Sequence, residues 1–370
     1  MSLNCGIIGL PNVGKSTIFS ALSSTAAKAE NYPFCTIEAN KGKVKVPDHR
    51  LDLIANLLNL NKILPAFMEF VDIAGLVEGA SKGEGLGNQF LANIKETDAI
   101  IHVVRCFDNP NIAHVYDSIN PERDIEIINT ELALKDLEFS LKKREKNQKL
   151  FKSSNKKERD RAHWQVEILD ILIDELEKGT LARNIQISSD KAMDFIASLN
   201  LLTSKKTLYL CNIDDSSLDN VNEHTLKVAQ VAAREQSEYL MLSGQTEVEL
   251  TQMEDEAEKK EFMEMFNLQE TGLNQLITKA YSLLDLQTFF TTTNEQVQAW
   301  TFVNGTLAPT AAGLIHTDFA KGFIKAEVYS CKDLAEHKEI NNLQQKGKIR
   351  TEGSEYEIKD GDIIHFRFNL

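Results

Sequence analysis

Gly9-Leu10-Pro11-Asn12-Val13-Gly14-Lys15-Ser16 decides the fold. It fits G-x-x-x-x-G-K-[ST], directly after an apolar run at residues 5–10 and directly before a helical run at 17–24. The glycines let the backbone curl, so that successive N–H groups of Asn12, Val13, Gly14, Lys15, Ser16 and Thr17 converge on an anion at the positive end of the following helix. Lys15 is placed to reach the β and γ oxygens of a triphosphate. The Ser16 hydroxyl is a hard oxygen ligand suited to Mg²⁺. Strand, phosphate loop and helix in this order predict a P-loop nucleotide site on an α/β fold.

Moving outward, apolar and helical runs keep alternating: 66–72, 89–95 and 99–105. That pattern predicts a mostly parallel sheet with helices on both faces. Asp72-Ile73-Ala74-Gly75 closes the run 67–71. At the end of a strand, D-x-x-G lets the Asp approach Mg²⁺ through water while the Gly75 N–H meets the γ-phosphate. Residues 78–87 carry four glycines, as a switch segment does. Thr36 is the candidate for the first switch, ordered by metal and γ-phosphate; the alternative is a strand-edge threonine.

The pattern changes after Asp124. Ile125, Ile128, Leu132, Leu137 and Leu141 mark a long helix, and Trp164, Ile168, Ile171, Leu172 and Leu176 a second one ending at Gly179. Residues 124–200 therefore read as an antiparallel helical hairpin inserted in the nucleotide domain, 1–283. Its tip, 141–161, holds ten Lys or Arg against three acidic residues. A solvated turn and an RNA-binding finger both fit that composition. Strands resume at 207–211 and 238–242, an acidic surface helix follows at 247–264, and 284–370 reads as a small α+β domain with turns at 304–305, 312–313, 352–353 and 360–361.

Guanine readers follow a strand with N-K-x-D; here the stretch is Asn212-Ile213-Asp214-Asp215. Isoleucine replaces the lysine that covers the base, while Asp215 keeps an acceptor. Ser243-Gly244, after the next strand, fits the last loop to touch the base. The formal charge of −14 argues against broad polyanion binding, so any RNA contact must be local. Five scattered cysteines without a C-x-x-C pair read as reduced thiols. No run of about 18 apolar residues occurs, and a cytoplasmic chain without a membrane partner is expected.

The chain resembles the YchF or Obg-like ATPase family over essentially its full length. The resemblance is carried by residues 9–17, 31–38 (NYPFCTIE), 72–87, 129–132 (NTEL), 311–319 (AAGLIHTDF) and 360–362 (DGD). It implies a G-protein-like P-loop fold with a coiled-coil insertion and a C-terminal TGS domain of β-grasp form. It also implies ATP preferred over GTP, and association with the ribosome through its large subunit and rRNA, as a monomer. The family commonly has N-x-x-E, and Asp215 departs from it.

Ras-like enzymes place a water-orienting glutamine after D-x-x-G; Leu76 stands there and cannot orient water, so slow turnover is expected. Two substitutes are proposed. Asn12 corresponds to an asparagine that binds K⁺ in cation-stimulated relatives; the alternative is a loop hydrogen bond. His114, in a loop after the run 99–105, is placed to orient water; the alternative is satisfying a neighbouring backbone group. Lys15, Gly75 and His114 are thus the catalytic candidates. Three functions remain open: an ATPase acting on the ribosome, an Obg-type GTPase, and a regulatory protein that holds nucleotide with negligible turnover.

Overall fold

The computed structural model describes residues 3–27, 40–73, 86–116 and 118–369. In chain order the first half gives β1 (Asn4–Ile8), α1 (Lys15–Ala27), β2 (Lys41–Lys45), α2 (His49–Leu58), β3 (Lys62–Leu64), β4 (Phe67–Asp72), α3 (Leu86–Lys95), β5 (Ala99–Arg105), α4 (Pro121–Lys149), α5 (Lys156–Glu177) and α6 (Asp190–Ser198). The remainder gives β6 (Lys206–Asn212), α7 (Glu223–Arg234), β7 (Glu238–Leu242), α8 (Gly244–Gln252), α9 (Glu256–Met265), α10 (Gly272–Leu283), β8 (Leu286–Thr292), β9 (Gln296–Val303), β10 (Phe323–Ser330), β11 (Arg350–Glu352) and β12 (Asp362–Phe368).

The first sheet runs β2-β4-β1-β5-β6-β7. All its neighbours are parallel except β2, which pairs antiparallel with β4. β5 lies at the centre with every residue buried, which explains its near-continuous apolar sequence: a parallel strand covered on both faces has no polar side to show. Thr207, Leu208 and Leu210 of β6 are likewise buried.

The second sheet, β11-β10-β12-β8-β9-β3, is not built from the C-terminal residues alone. β3, from the first third of the chain, pairs parallel with β9. Arg50 of α2 binds Asp48 at 2.7 Å and Asp360 at 2.7 Å, locking the turn before β12 against the nucleotide domain. A continuous apolar core runs through Ile54, Phe290, Leu334 and Ile363. Glycines 305 and 361 take φ of 86° and 84°, as turns at those places require. Gly313, expected in a turn, instead lies inside a helix, Ala308–Ile315.

Between β5 and β6 stand α4 and α5. Helix α4, about 43 Å long at 1.5 Å per residue, starts at Asn120, whose side chain accepts from the Arg123 N–H, with Pro121 in its first turn. Ile125, Ile128 and Leu132 bury against the sheet's covering layers, while Leu137 meets Ile168, Leu172 and Leu176 of α5. Leu141 and Ile171, read from periodicity as facing inward, are 37% and 45% exposed. They lie beyond or beside the cluster that α4 and α5 share with α6. The acidic stretch 247–264 is likewise not one surface helix. It breaks between α8 and α9, and Glu247 is buried, accepting from the N–H groups of Gly272 at 2.7 Å and Leu273 at 3.2 Å at the start of α10.

The hairpin is fastened to the strand that carries the base-side motif. Buried Asp136 of α4 accepts from Leu202 N–H at 2.8 Å, Thr203 N–H at 2.7 Å and the Thr203 hydroxyl at 2.7 Å, just ahead of β6. Asp136→Ala would leave these donors buried and unpaired. A loss of roughly 2–4 kcal/mol in unfolding free energy is expected by chemical denaturation, and a loss below about 1 kcal/mol would contradict the role given to the carboxylate.

Candidate nucleotide site

The loop between β1 and α1 is shaped by left-handed backbone: Asn12 at φ 62° and Gly14 at φ 102°. A Cβ on Gly14 would lie 2.1 Å from Asn212 Nδ2, and one on Gly9 would lie 2.4 Å from the Val103 carbonyl oxygen. Both motif glycines are therefore demanded by close approach. Asn212 closes the arrangement: its Nδ2 donates to Val13 O at 2.9 Å, and its Oδ1 accepts from Gly244 N–H at 3.0 Å. Expected to touch the nucleotide, it lines the cavity beside the loop and also braces the loop against the start of α8.

Lys15 is buried, its ammonium donating to Leu10 O at 2.7 Å. Burial pushes its pKa down to about 8, against the opposing pull of the Asp72 carboxylate. Asp72 ends β4 opposite Ile7 of β1, at the edge from which the loop departs. Burial raises its pKa and Lys15 holds it down. Its Oδ1 is buried with no hydrogen-bond partner among the described residues. Ser16 and Thr17 begin α1 on its exposed side. Thr36, Gly75 and Leu76 lie outside the described residues, as does most of the glycine-rich stretch.

Beside the loop opens a cavity of about 400 Å³, walled by Asn12 and Lys15–Thr17 on one side and Ile213, Asp215 and Ser243 on the other. Ile213 is also buried in an apolar cluster with Tyr209 and Cys211. Asp215 accepts from Ser243 Oγ at 2.6 Å and from the Thr246 hydroxyl, while a Cβ added to Gly244 would lie 3.5 Å from Thr17 Cγ2.

Sequence reasoning missed the third wall, Phe107, Asn109 and Ile112. Buried Arg105 builds it, donating to Phe107 O at 3.2 Å, Asn109 O at 3.0 Å and Ile112 O at 3.0 Å. The available signal was a charged residue ending an otherwise apolar strand at the carboxyl edge of a parallel sheet, where ligands gather.

His114 follows this wall. Its Nδ1 accepts from Tyr116 N–H at 3.2 Å, which places the ring proton on Nε2, 2.9 Å from Asp124 Oδ2. Both nitrogens are engaged, so contact with water at the phosphates requires the ring to leave Asp124. The preceding residue ties the loop to the site: Ala113 O accepts from Asn12 Nδ2 at 3.2 Å.

A larger cavity, about 740 Å³, lies at the hairpin base. Glu122, Glu126, Glu177 and Glu235 line it, and carboxylates repel a triphosphate. The smaller cavity has the amides and Lys15.

A central parallel sheet with a glycine-rich loop gripped between strand and helix defines the P-loop nucleotide-binding class of G-protein type. The MMR_HSR1 family model, described as a 50S ribosome-binding GTPase, matches residues 4–143, and YchF-GTPase_C, described as "Protein of unknown function (DUF933)", matches residues 286–369. Haemophilus ducreyi has a protein named Ribosome-binding ATPase YchF that is 48% identical over the whole of both chains. The protein of that name from Escherichia coli O157:H7 is 46% identical over the same extent. The solved structure of the Schizosaccharomyces pombe YchF GTPase superposes with a TM-score of 0.90 at 36% identity, covering 99% of this chain and 98% of that one. The chain belongs to the YchF family.

The lowered pKa of Lys15 gives a pH dependence with a definite sign. Below about 8 the free protein already carries the ammonium; above it a proton must be taken up on binding a triphosphate. Affinity for a fluorescent triphosphate should be level up to about pH 8 and then fall by up to about tenfold per pH unit. Lys15→Arg should flatten that slope. A wild-type profile level to pH 10 would contradict the assignment.

Proposed function

We propose that the protein is a slow, Mg²⁺-dependent ATPase, ATP preferred over GTP, whose nucleotide state governs its binding to the large ribosomal subunit. The observation that carries the reading is the loop itself: main-chain amides, buried Lys15 and the Asp72 Oδ1, without a hydrogen-bond partner among the described residues, gathered at one sheet edge. Relatives named Ribosome-binding ATPase YchF supply the acid anhydride and the partner.

Asp72 and Ser16 fit a hard divalent cation, since one offers a buried carboxylate oxygen unsatisfied among the described residues and the other an exposed hydroxyl. Mg²⁺ there would neutralise charge on the β and γ oxygens. Thr36 and the Gly75 N–H complete the γ-phosphate contacts in this reading. Asn12 uses its amide N–H on Ala113, which leaves its Oδ1 as the atom for K⁺. Lys15 exchanges the Leu10 carbonyl for phosphate oxygens, and His114 turns from Asp124 to orient the attacking water, the place Leu76 cannot fill.

For the ribosome, the hairpin tip is the better candidate of two basic regions. In the C-terminal part, Lys348 pairs with Asp333 at 2.9 Å and Arg350 with Glu352 at 3.1 Å. At the tip, Lys146, Lys152, Lys156, Lys157 and Arg161 are exposed and form no ion pair among the described residues. Five unneutralised cations on one projecting finger suit rRNA phosphates. In family terms we take the hairpin as the coiled-coil insertion of a G domain spanning 1–283, and 284–370 as the TGS domain. Its order β9-β8-β12-β10-β11, with β8 and β12 parallel, supports a β-grasp assignment. No helix among the described residues is long and apolar enough to cross a membrane. We place the protein in the cytoplasm as a monomer.

A second reading, GTPase, is favoured by Asp215 and by the solved relative, a YchF GTPase. Competing ATP and GTP against a labelled nucleotide separates the two, and a guanine preference selects the second. For turnover, His114→Ala should slow single-turnover hydrolysis by about 10² while leaving ATP affinity within about twofold. Unchanged turnover removes His114 from the mechanism. Absence of any hydrolysis with K⁺ and large subunits present removes the enzyme reading.

A further inference from the structure

We propose that Ser243 and Thr246 set base selection by clamping Asp215, so that the site accepts a base donor at one oxygen rather than at two. The inference rests on reading the 400 Å³ cavity as the base pocket of an ATPase. Asp215 stands where guanine readers keep their aspartate, and by residue type alone it points to GTP. Its hydrogen bonds point the other way.

Ser243 Oγ donates to Asp215 Oδ1 at 2.6 Å, and the Thr246 hydroxyl donates to that same oxygen. A carboxylate oxygen has two lone pairs in its plane, so Oδ1 is filled. Oδ2 has no partner among the described residues, and the residue lines the cavity half-buried. Guanine presents two adjacent donors, N1–H and N2–H, and needs both oxygens of an aspartate. Adenine presents one donor group, the exocyclic N6 amine, beside the acceptor N1, and one oxygen suffices for the N–H on that side.

The clamp is held from behind. Ser243 and Thr246 are each 1% exposed. Ser243 Oγ also accepts from Thr246 N–H at 3.2 Å as the N-cap of α8, so its lone pair is fixed and its proton is directed at Asp215. Asn212 is not part of the clamp: one N–H of its amide goes to Val13 O and its Oδ1 accepts from Gly244 N–H. A guanine entering this pocket therefore leaves one N–H desolvated and unpaired, a cost the adenine ring does not meet. Ser243 and Thr246 act through Asp215 and are positioning residues.

The test is competition of ATP and of GTP against a fluorescent adenine diphosphate on the full chain, for wild type, Thr246→Val, Thr246→Ser and Ser243→Ala. Wild type should favour ATP. Thr246→Val, which keeps shape and removes the hydroxyl, should move the GTP-to-ATP affinity ratio about tenfold toward GTP, with ATP affinity changed by less than about threefold. Thr246→Ser should retain the wild-type ratio. Ser243→Ala removes the other donor to Oδ1 and should shift the ratio in the same direction, which keeps the proposal testable should the valine variant misfold. A ratio unmoved in both hydroxyl-deleted proteins, shown folded by thermal unfolding, overturns the clamp. So does a wild type that prefers GTP and loses it on Thr246→Val, since the hydroxyls then orient Asp215 for guanine. Wild type binding neither nucleotide removes the ATPase reading and the clamp together, which distinguishes that failure from the others.

Discussion

The amide of Asn212 joins three segments of chain that are far apart in sequence. It holds the Val13 carbonyl of the phosphate loop and the Gly244 amide at the start of α8, from the last position of β6. Gly14 has to be glycine because Asn212 stands against it. The loop's curvature, the position of the base-side wall and the entry of α8 are thereby set by one side chain with both ends used. Loss of that brace would leave a glycine-rich loop to pay its own conformational entropy before gripping an anion.

The other large features attach to the same strands. Asp136 ties the hairpin to the segment entering β6, and Arg105, at the end of β5, gathers three carbonyls into the cavity's third wall. Arg50 and β3 join the second sheet to the helix and strand that precede β4. A basic finger and a C-terminal sheet are therefore both mechanically connected to strands that end at the nucleotide cavity.

Much of this was legible in the sequence, for reasons that differ by element. Residues 9–16 were readable because their chemistry is local: backbone amides, one ammonium and one hydroxyl suffice. β1, β5 and β6 were readable because parallel strands buried on both faces are continuously apolar, and the edge strand β7 because its last three residues, Leu240–Leu242, are apolar. β2, with the sequence KGKVK, gave no such signal, since it lies at the sheet's edge with Lys41 exposed. β3 was hidden because it is short and its partner β9 lies more than 230 residues away. Ile171 looked buried by helical spacing, yet it lies outside the cluster in which α5 packs against α4 and α6. The third wall of the cavity was hidden because its residues are held by their backbone carbonyls, which carry no residue-type signature. The family resemblance read from several motifs agrees with the full-length identity to YchF proteins. Residue types alone left the base undecided, because the state of Asp215 depends on hydroxyls 28 and 31 residues further along the chain.

The central claim is that the amides of residues 12–17, with Lys15, grip the phosphate tail of a purine triphosphate. Backbone hydrogen exchange of the full chain, with and without ATP and Mg²⁺, tests it most directly. The account predicts at least about tenfold slower exchange in the peptide spanning 9–17, with no comparable change along the acidic cavity at the hairpin base. Exchange in 9–17 that stays the same at saturating nucleotide, or protection confined to that acidic cavity, would contradict it.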